Sequence, residues 1–201
     1  MAAIGGLGAA LLLLGRRSGW PALGVAALVA AFFRDPERRL EPDSRLVYAA
    51  ADGVVTGIDG SAHDEWMPGR RAIRITTFLG LQNVHVNRSP VAGRLTTMQA
   101  VPGGFAPALF AHARDNTRNR LAIDGDVGRV VVVQVAGLLA RTISPWVRQG
   151  QLLVAGERIG MIHFGSRTDV LLPVGSADVL VRQGQRVRAG ATPLARYRTR
   201  A

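Results

Sequence analysis

Few side chains in this sequence could carry covalent or acid–base chemistry, and their types narrow the choice quickly. The 201 residues include no Cys, which removes disulfides, thiolate zinc sites and cysteine nucleophiles together. All 25 residues of the Lys/Arg class are Arg. Without Lys there is no pyridoxal-phosphate or other lysine Schiff-base enzyme, no P-loop ATPase and no lipoyl or biotinyl carrier. His63, His85, His112 and His163 stand far apart and form no His-x-His pair, so no metal centre is expected. Asp52-Gly53, His85 and Gly165-Ser166 remain. Taken singly, each has a plain structural reading: a hairpin turn, a core histidine bonded to backbone, and a β-turn.

The elements that must position these residues begin at Leu46. From there short Val/Ile/Leu runs recur between Gly and Pro: Gly53–Ile58, Ala72–Thr77, Val84–Val86, Val130–Val135, Val170–Leu172 and Val179–Val181. Each is predicted as a strand. Helical periodicity is confined to Ala106–Ala113 and Leu138–Ile143. One repeat is visible: Val147-Arg-Gln-Gly-Gln151 followed by Val154-Ala-Gly-Glu-Arg-Ile-Gly160 returns as Val181-Arg-Gln-Gly-Gln185 followed by Val187-Arg-Ala-Gly190. Paired turns held by glycine predict a mainly β fold with minor α, built like a barrel-sandwich hybrid. That architecture argues fold and not function.

Two uncharged apolar runs, Ala2–Gly15 and Ser18–Phe33, flank Arg16-Arg17. Each is shorter than the roughly 17–25 residues of a spanning helix. No basic residue precedes the first run, and Phe33-Arg34-Asp35-Pro36 is a poor cleavage site, so a secretory signal fits badly. Residues 1–33 are expected to form a membrane-embedded or interfacial helical hairpin, with Arg16, Arg17, Arg34, Arg38 and Arg39 at headgroup level. Residues 34–45, with Pro36 and Pro42, read as a charged linker, and 46–201 as the β domain. The formal charge of +11 points to an anionic partner. The arginines are scattered and only 5% of residues are aromatic, which provides no base-stacking platform. The expected partner is therefore an anionic phospholipid surface and not nucleic acid.

Four blocks carry a resemblance: Phe32-Phe33-Arg34-Asp35-Pro36-Glu37-Arg38, Ala51-Asp52-Gly53-Val54-Val55, Asn83-Val84-His85-Val86-Asn87-Arg88-Ser89-Pro90 and Ile162-His163-Phe164-Gly165-Ser166-Arg167. They occur in the order seen in phosphatidylserine decarboxylase proenzymes, and the chain resembles the short form of that family over nearly its whole length. Removing CO₂ from an amino acid leaves a carbanion that needs an electron sink, and there is no Lys to hold pyridoxal phosphate. The resemblance implies a self-made sink. The Ser166 hydroxyl attacks the Gly165 carbonyl and turns the peptide bond into an ester. Elimination frees the upstream chain and leaves dehydroalanine, which loses ammonia to become an N-terminal pyruvoyl group. The products are a large chain, 1–165, and a small chain, 166–201, whose pyruvoyl carbonyl forms a Schiff base with the substrate amine.

Serine is a weak nucleophile at its free pKa. The resemblance points to His85 as the base that takes its proton and later returns one to the product carbanion. Asp52 would orient that base or assist elimination. Longer relatives carry Tyr-His-Arg-x-His before their Pro; counting back from Pro90, His85 matches the first His and Arg88 stands where the second would be. Arg88, Arg120 and Arg167 lie near the motif blocks and are candidates to clamp the substrate phosphate bidentately. Phe105, in the family-like Pro102-Gly103-Gly104-Phe105, is a candidate contact for acyl chains. The odd offset of His163 from Ser166 puts it on the opposite face of a strand.

The expected activity is conversion of phosphatidylserine to phosphatidylethanolamine and CO₂ by a self-processed, pyruvoyl-dependent enzyme at the cell membrane, its catalytic domain on the cytoplasmic side. Two alternatives stand beside it: a decarboxylase of a related serine headgroup lipid, of the archaetidylserine type, and a membrane-anchored, non-enzymatic barrel-sandwich binding module. Homo-oligomer formation is left open.

Overall fold

A computed structural model describes residues 19–40, 43–107, 115–126, 128–138, 142–163 and 166–198. The chain divides into two compact units, Met1–Pro36 and Glu37–Ala201. In the first, helix α1 spans Gly19–Phe32. It is apolar on every side and leaves Trp20, Val25 and Leu28 exposed. The Arg34 guanidinium caps its end by donating to the Ala31 carbonyl at 2.7 Å. Asp35-Pro36 then stops it, because Pro lacks an N–H and forces the residue before it out of helical angles. Among the described residues no helix is long and apolar enough to cross a membrane. The first arm of the expected hairpin, Ala2–Gly15, lies outside the described residues.

The second unit is built almost wholly of strands: β1 Leu46–Tyr48, β2 Gly53–His63, β3 Arg71–Leu79, β4 Val86–Arg88, β5 Gly93–Val101, β6 Arg118–Gly125 and β7 Gly128–Val135. There follow β8 Ile143–Pro145, β9 Leu152–Leu153, β10 Arg158–Ile162, β11 Ser166–Pro173, β12 Ala177–Val179, β13 Arg186–Val187 and β14 Pro193–Tyr197. An eight-stranded antiparallel sheet runs β13-β2-β3-β11-β7-β6-β5-β9, and two three-stranded sheets run β1-β14-β12 and β4-β10-β8. The mainly β class expected from the sequence holds. Strands β5 and β6 carry too many polar residues to stand out as apolar runs. Most of the Ala106–Ala113 periodicity, and residues 139–141 of the second helical stretch, fall outside the described residues.

Alternation sorts the large sheet into two buried faces. On the inner face Ile75, Leu121, Val130, Val132, Val170 and Leu172 share a core with Val47, Leu194 and Tyr197 of the β1-β14-β12 sheet. On the outer face Ala72, Ala122, Val131, Val133 and Leu171 pack under Met67 and Trp66, from the loop joining β2 to β3. Burial on both sides explains why β7 reads as an unbroken Val run.

The repeat folds as two equivalent turns. Gln151 and Gln185 accept at their side-chain oxygens from the Arg148 and Arg182 amides, at 3.3 and 3.1 Å. Gly150 and Gly184 donate to Leu95 and Val55 carbonyls, at 2.7 and 2.8 Å. Gly156 and Gly190, at φ 80° and 63°, meet back to back. A Cβ on Gly190 would lie 3.2 Å from the Gly156 Cα, so this junction admits neither side chains nor ordinary backbone angles. Within the segment read as linker, Glu37 pairs with Arg158 at 2.6 Å. Arg38, expected at headgroup level, pairs instead with Asp52 at 2.7 Å, since a nearly buried carboxylate needs a cation.

Candidate active site

Ser166 opens β11, the strand at the middle of the large sheet, flanked by Leu79 of β3 on one side. On the other side β11 pairs with β7 through Arg167↔Val135 and Thr168↔Gln134 without a register shift. Ser166 is fully buried, and its Oγ has no hydrogen-bond partner among the described residues. A buried hydroxyl normally finds one, so this one is not spent on holding the fold. Gly165 lies outside the described residues.

His85 comes from just ahead of β4, which pairs with β10 through Met161↔Val86. Its carbonyl accepts from the Ile162 amide at 3.3 Å, tying it to the strand that leads into Ser166. The ring is fully buried, and Nδ1 lies 2.9 Å from the Asn83 carbonyl oxygen. A carbonyl only accepts, so Nδ1 carries a proton and donates it there. Two residues on, Asn87 accepts from Gln134 Nε2 at 2.8 Å. Gln134 pairs with Thr168 on the inner face, so Asn87 points there. His85 stands two residues before Asn87, just ahead of the first residue of β4.

Asp52 arrives differently. It follows three buried alanines and precedes Gly53, where a Cβ would collide with the Phe78 carbonyl; this glycine lets β2 close against β3. Val54 pairs with Phe78, which pairs with Arg167, so the start of β2 lies level with Ser166 but two strands away, about 10 Å. The Asp52 oxygens accept from the Ala189 amide at 2.8 Å and the Arg38 guanidinium at 2.7 Å. Among the described residues Asp52 makes no hydrogen bond to His85 or Ser166. It is a strut between residues 38, 52 and 189.

The three arginines separate. Arg88 donates to the Gly156 carbonyl at 3.0 Å and lays its Cδ over Gly190, on the repeat junction. Arg120 and Arg167 converge on the outer face, in a cavity of about 460 Å³ that Arg70, Arg74 and Arg118 also line. Arg167 is locked bidentate on Asp169, at 2.8 and 2.7 Å. Arg120 grips both oxygens of Asp64 at 2.9 Å, reaches Glu65, and lies 3.9 Å from the Trp66 ring centre. Five arginines face three carboxylates there. His63 lines the same cavity, and His163 Nε2 lies 3.2 Å from Ser144 Oγ; His112 is outside the described residues.

Phe105 is half-buried in the loop after β5. Asn116 pins that loop. It exchanges bonds of 2.8 and 2.7 Å with Ala106 and donates at 2.7 Å to the Ala136 carbonyl, beyond the end of β7 and level with Ser166. Asn116 escaped the sequence reading, as did any site role for Asn87, Asn119, Gln134 and Thr168. One signal was available. Gln134 is the lone polar residue in a Val run, and Thr168 and Asn87 stand two residues from Ser166 and His85, the strand period.

The chain matches the phosphatidylserine decarboxylase family model over residues 25–195. A phosphatidylserine decarboxylase proenzyme from Azorhizobium caulinodans is 46% identical over 182 residues, 89% of this chain and 78% of that protein. One from Thermobifida fusca is 46% identical over 176 residues, 88% and 76% of the two chains. A third, from Streptomyces griseus subsp. griseus, is 43% identical over 187 residues, 90% and 82%. Ser166 stands buried at a strand start with its hydroxyl unpartnered among the described residues, and His85 is buried in the segment whose backbone is tied to the preceding strand. The chain belongs to the phosphatidylserine decarboxylase family, and it is a decarboxylase.

Proposed function

We propose that the chain cuts itself between Gly165 and Ser166 and, with the pyruvoyl group so made, converts phosphatidylserine to phosphatidylethanolamine and CO₂. The observation that carries this is the fully buried Ser166 hydroxyl with no partner of its own. His85 Nε2 takes its proton as Oγ bonds to the Gly165 carbonyl carbon, and hands it to the Ser166 nitrogen as the C–N bond breaks, giving an ester and a free amine. Loss of the Ser166 Cα proton and cleavage of Cβ–Oγ then leave the oxygen on the Gly165 carboxylate. Water replaces the nitrogen on the remaining dehydroalanine and ammonia departs. The carbonyl formed at residue 166 supplies the group that binds the substrate amine and draws off the electrons left by CO₂. Asp52 acts through the strut it makes, holding the start of β2 against β3 and so the neighbour of β11.

Arg167 directly follows residue 166 and, with Arg120, keeps N–H groups for a phosphodiester that passes the start of β11 to the outer face. Arg88, whose side chain lies across the repeat junction over Gly190, is left out of that role. We place the protein at the cytoplasmic face of the cell membrane. Supporting this are the all-apolar α1, and Leu81 and Leu138, exposed on the loops that follow β3 and β7 at the edge where β11 begins.

The test is mass spectrometry of the purified protein. Two chains, 1–165 and 166–201, are expected, the small one with a blocked N-terminus. An intact single chain that decarboxylates the lipid overturns the mechanism. For the membrane, removal of residues 1–36 is expected to shift the protein out of the membrane fraction while it still splits. Retention of the shortened protein through a high-salt wash places the anchor elsewhere.

A further inference from the structure

Ser166 Oγ is not the only unpartnered atom on the inner face. Thr168 Oγ1 and Asn87 Nδ2 are also buried with no hydrogen-bond partner among the described residues. Thr168 is 1% exposed and Asn87 0%. Leaving one such group unpaired costs folding free energy, and most proteins avoid it. Here three cluster around one strand start. Thr168 shares the inner face with Ser166, two residues along, and Asn87 is tied to Gln134, the cross-strand neighbour of Thr168.

The amides behind Asn87 set its orientation. Asn119 Nδ2 donates to Gln134 Oε1 at 2.9 Å, and Gln134 Nε2 donates to Asn87 Oδ1 at 2.8 Å. Every bond of this chain runs the same way, so it ends in an Asn87 –NH₂ whose two hydrogens are unused. The polarised chain makes that terminal donor stronger. Processing removes Ser166 Oγ but leaves the Asn87 and Thr168 donors in place. Two idle donors with no cation bonded to them among the described residues call for a ligand with an acceptor.

We propose that Asn87 Nδ2 and Thr168 Oγ1 receive the carboxylate of the serine headgroup, and so decide that a serine lipid and not its ethanolamine product is held; this rests on the proposed function. The reach is right. Residues two apart on a strand are about 6.6 Å apart. In an amino-acid headgroup the amine and carboxylate oxygens are about 3–4 Å apart. A headgroup held by its amine at residue 166 therefore brings its carboxylate within about 3 Å of Thr168, a hydrogen-bond length. Neutral donors suit a carboxylate that must leave as CO₂. A guanidinium there would stabilise the charged ground state against the step that discharges it. The arginines lie on the other face. Ethanolamine has no carboxylate, so the product loses both bonds on formation and is released.

The test uses processed wild type, Thr168→Val, Thr168→Ser and Asn87→Asp. The first readout is KM for phosphatidylserine set against the inhibition constant of phosphatidylethanolamine. The second is the thermal shift given by glycerophosphoserine or glycerophosphoethanolamine after borohydride has reduced the carbonyl at residue 166 to an alcohol, so that nothing turns over. Thr168→Val is expected to raise KM about tenfold and leave the inhibition constant unchanged, with Thr168→Ser restoring the wild-type value. Asn87→Asp keeps its acceptor for Gln134 but replaces the donor with an oxygen, and is expected to lose more. The serine headgroup's thermal shift falls in both, and the ethanolamine headgroup's does not. Thr168→Val should melt no lower than wild type, because a methyl replaces an unpaired hydroxyl. Equal loss for both headgroups, no loss for either, or a lowered melting point without selectivity overturns the inference. If wild type neither splits nor releases CO₂, the proposed function fails first, which distinguishes the two failures.

Discussion

The two faces of β11 differ in chemistry although they are one residue apart. Inward, Ser166 and Thr168 hold hydroxyls without partners, facing the neutral amides of Asn87 and Gln134. Outward, Arg167 and Asp169 are locked in a bidentate pair, with Arg74 and Arg120 beside them. A buried hydroxyl without a partner keeps its nucleophilic oxygen available. A buried cation without one is too costly to keep, so every deeply set arginine outside has its carboxylate. One strand thus carries unpartnered hydroxyls on one side and paired charges on the other, and single substitutions can break one side and spare its neighbour.

The largest effect belongs inside. Ser166→Ala has no hydroxyl to attack with, and is expected to remain one full-length chain on a denaturing gel and release no CO₂. His85→Ala comes next. Turnover per split chain should fall about 10²–10⁴-fold, with splitting slowed as well; wild-type rates of both would remove His85 from the site. The third variant probes the strut. Asp52→Asn keeps an acceptor for Ala189 but forfeits the Arg38 ion pair, and should slow splitting up to about tenfold. Arg38→Gln should slow it equally. A silent Arg38→Gln beside an impaired Asp52→Asn would mean that Asp52 acts directly.

Outside, the effects turn from chemistry to stability. Arg120→Gln leaves Asp64 nearly buried without its cation and should cost about 3 kcal/mol, measured by urea unfolding. Splitting of the variant should match wild type at temperatures where both are folded. The smallest effect is a titration. Arg129 bonds both Asp124 oxygens, at 2.6 and 2.8 Å, and donates to the Trp66 carbonyl at 3.1 Å, which holds the outer loop down. The hydrogen bond from Arg129 holds the Asp124 carboxyl below its usual range. The folded pKa is depressed, so this contribution is present above the ordinary carboxylate pKa and is lost as pH falls through the lowered one. Amide protection in residues 64–67, taken relative to the intrinsic exchange rate at each pH, should therefore fall at acid pH in wild type. An Arg129→Leu variant should already show the lower protection near neutrality.

Some of this was legible beforehand. The Val130–Val135 run of β7 and the Val170–Leu172 run of β11 announce strands whatever surrounds them, because β-branched and apolar side chains act locally, whereas the start of β11 at Ser166 reads as a turn. The glycine repeat was readable for the same reason: Gly150 and Gly184, at φ 90° and 85°, sit where other residues are strained. Strands β5 and β6 were not readable. Their polar and charged residues are explained by partners the chain reaches only after folding, such as Asp64 and Glu65 for Arg120, 56 and 55 residues away.

The same division holds at the site. Residue types alone excluded thiol and lysine chemistry, since these depend on what a side chain is, whereas Ser166 as nucleophile and His85 as base came from the ordered blocks that carry the family resemblance. Tertiary structure decided which groups meet. It sent Arg88 to a glycine carbonyl, bound Asp52 to Arg38 and Ala189, put Arg120 and Arg167 behind the sheet, and gathered Asn87, Gln134 and Thr168 in front of it. Hydrogen bonds and ion pairs act over about 3 Å, so partners far apart in the chain are assigned only when strand register brings them that close.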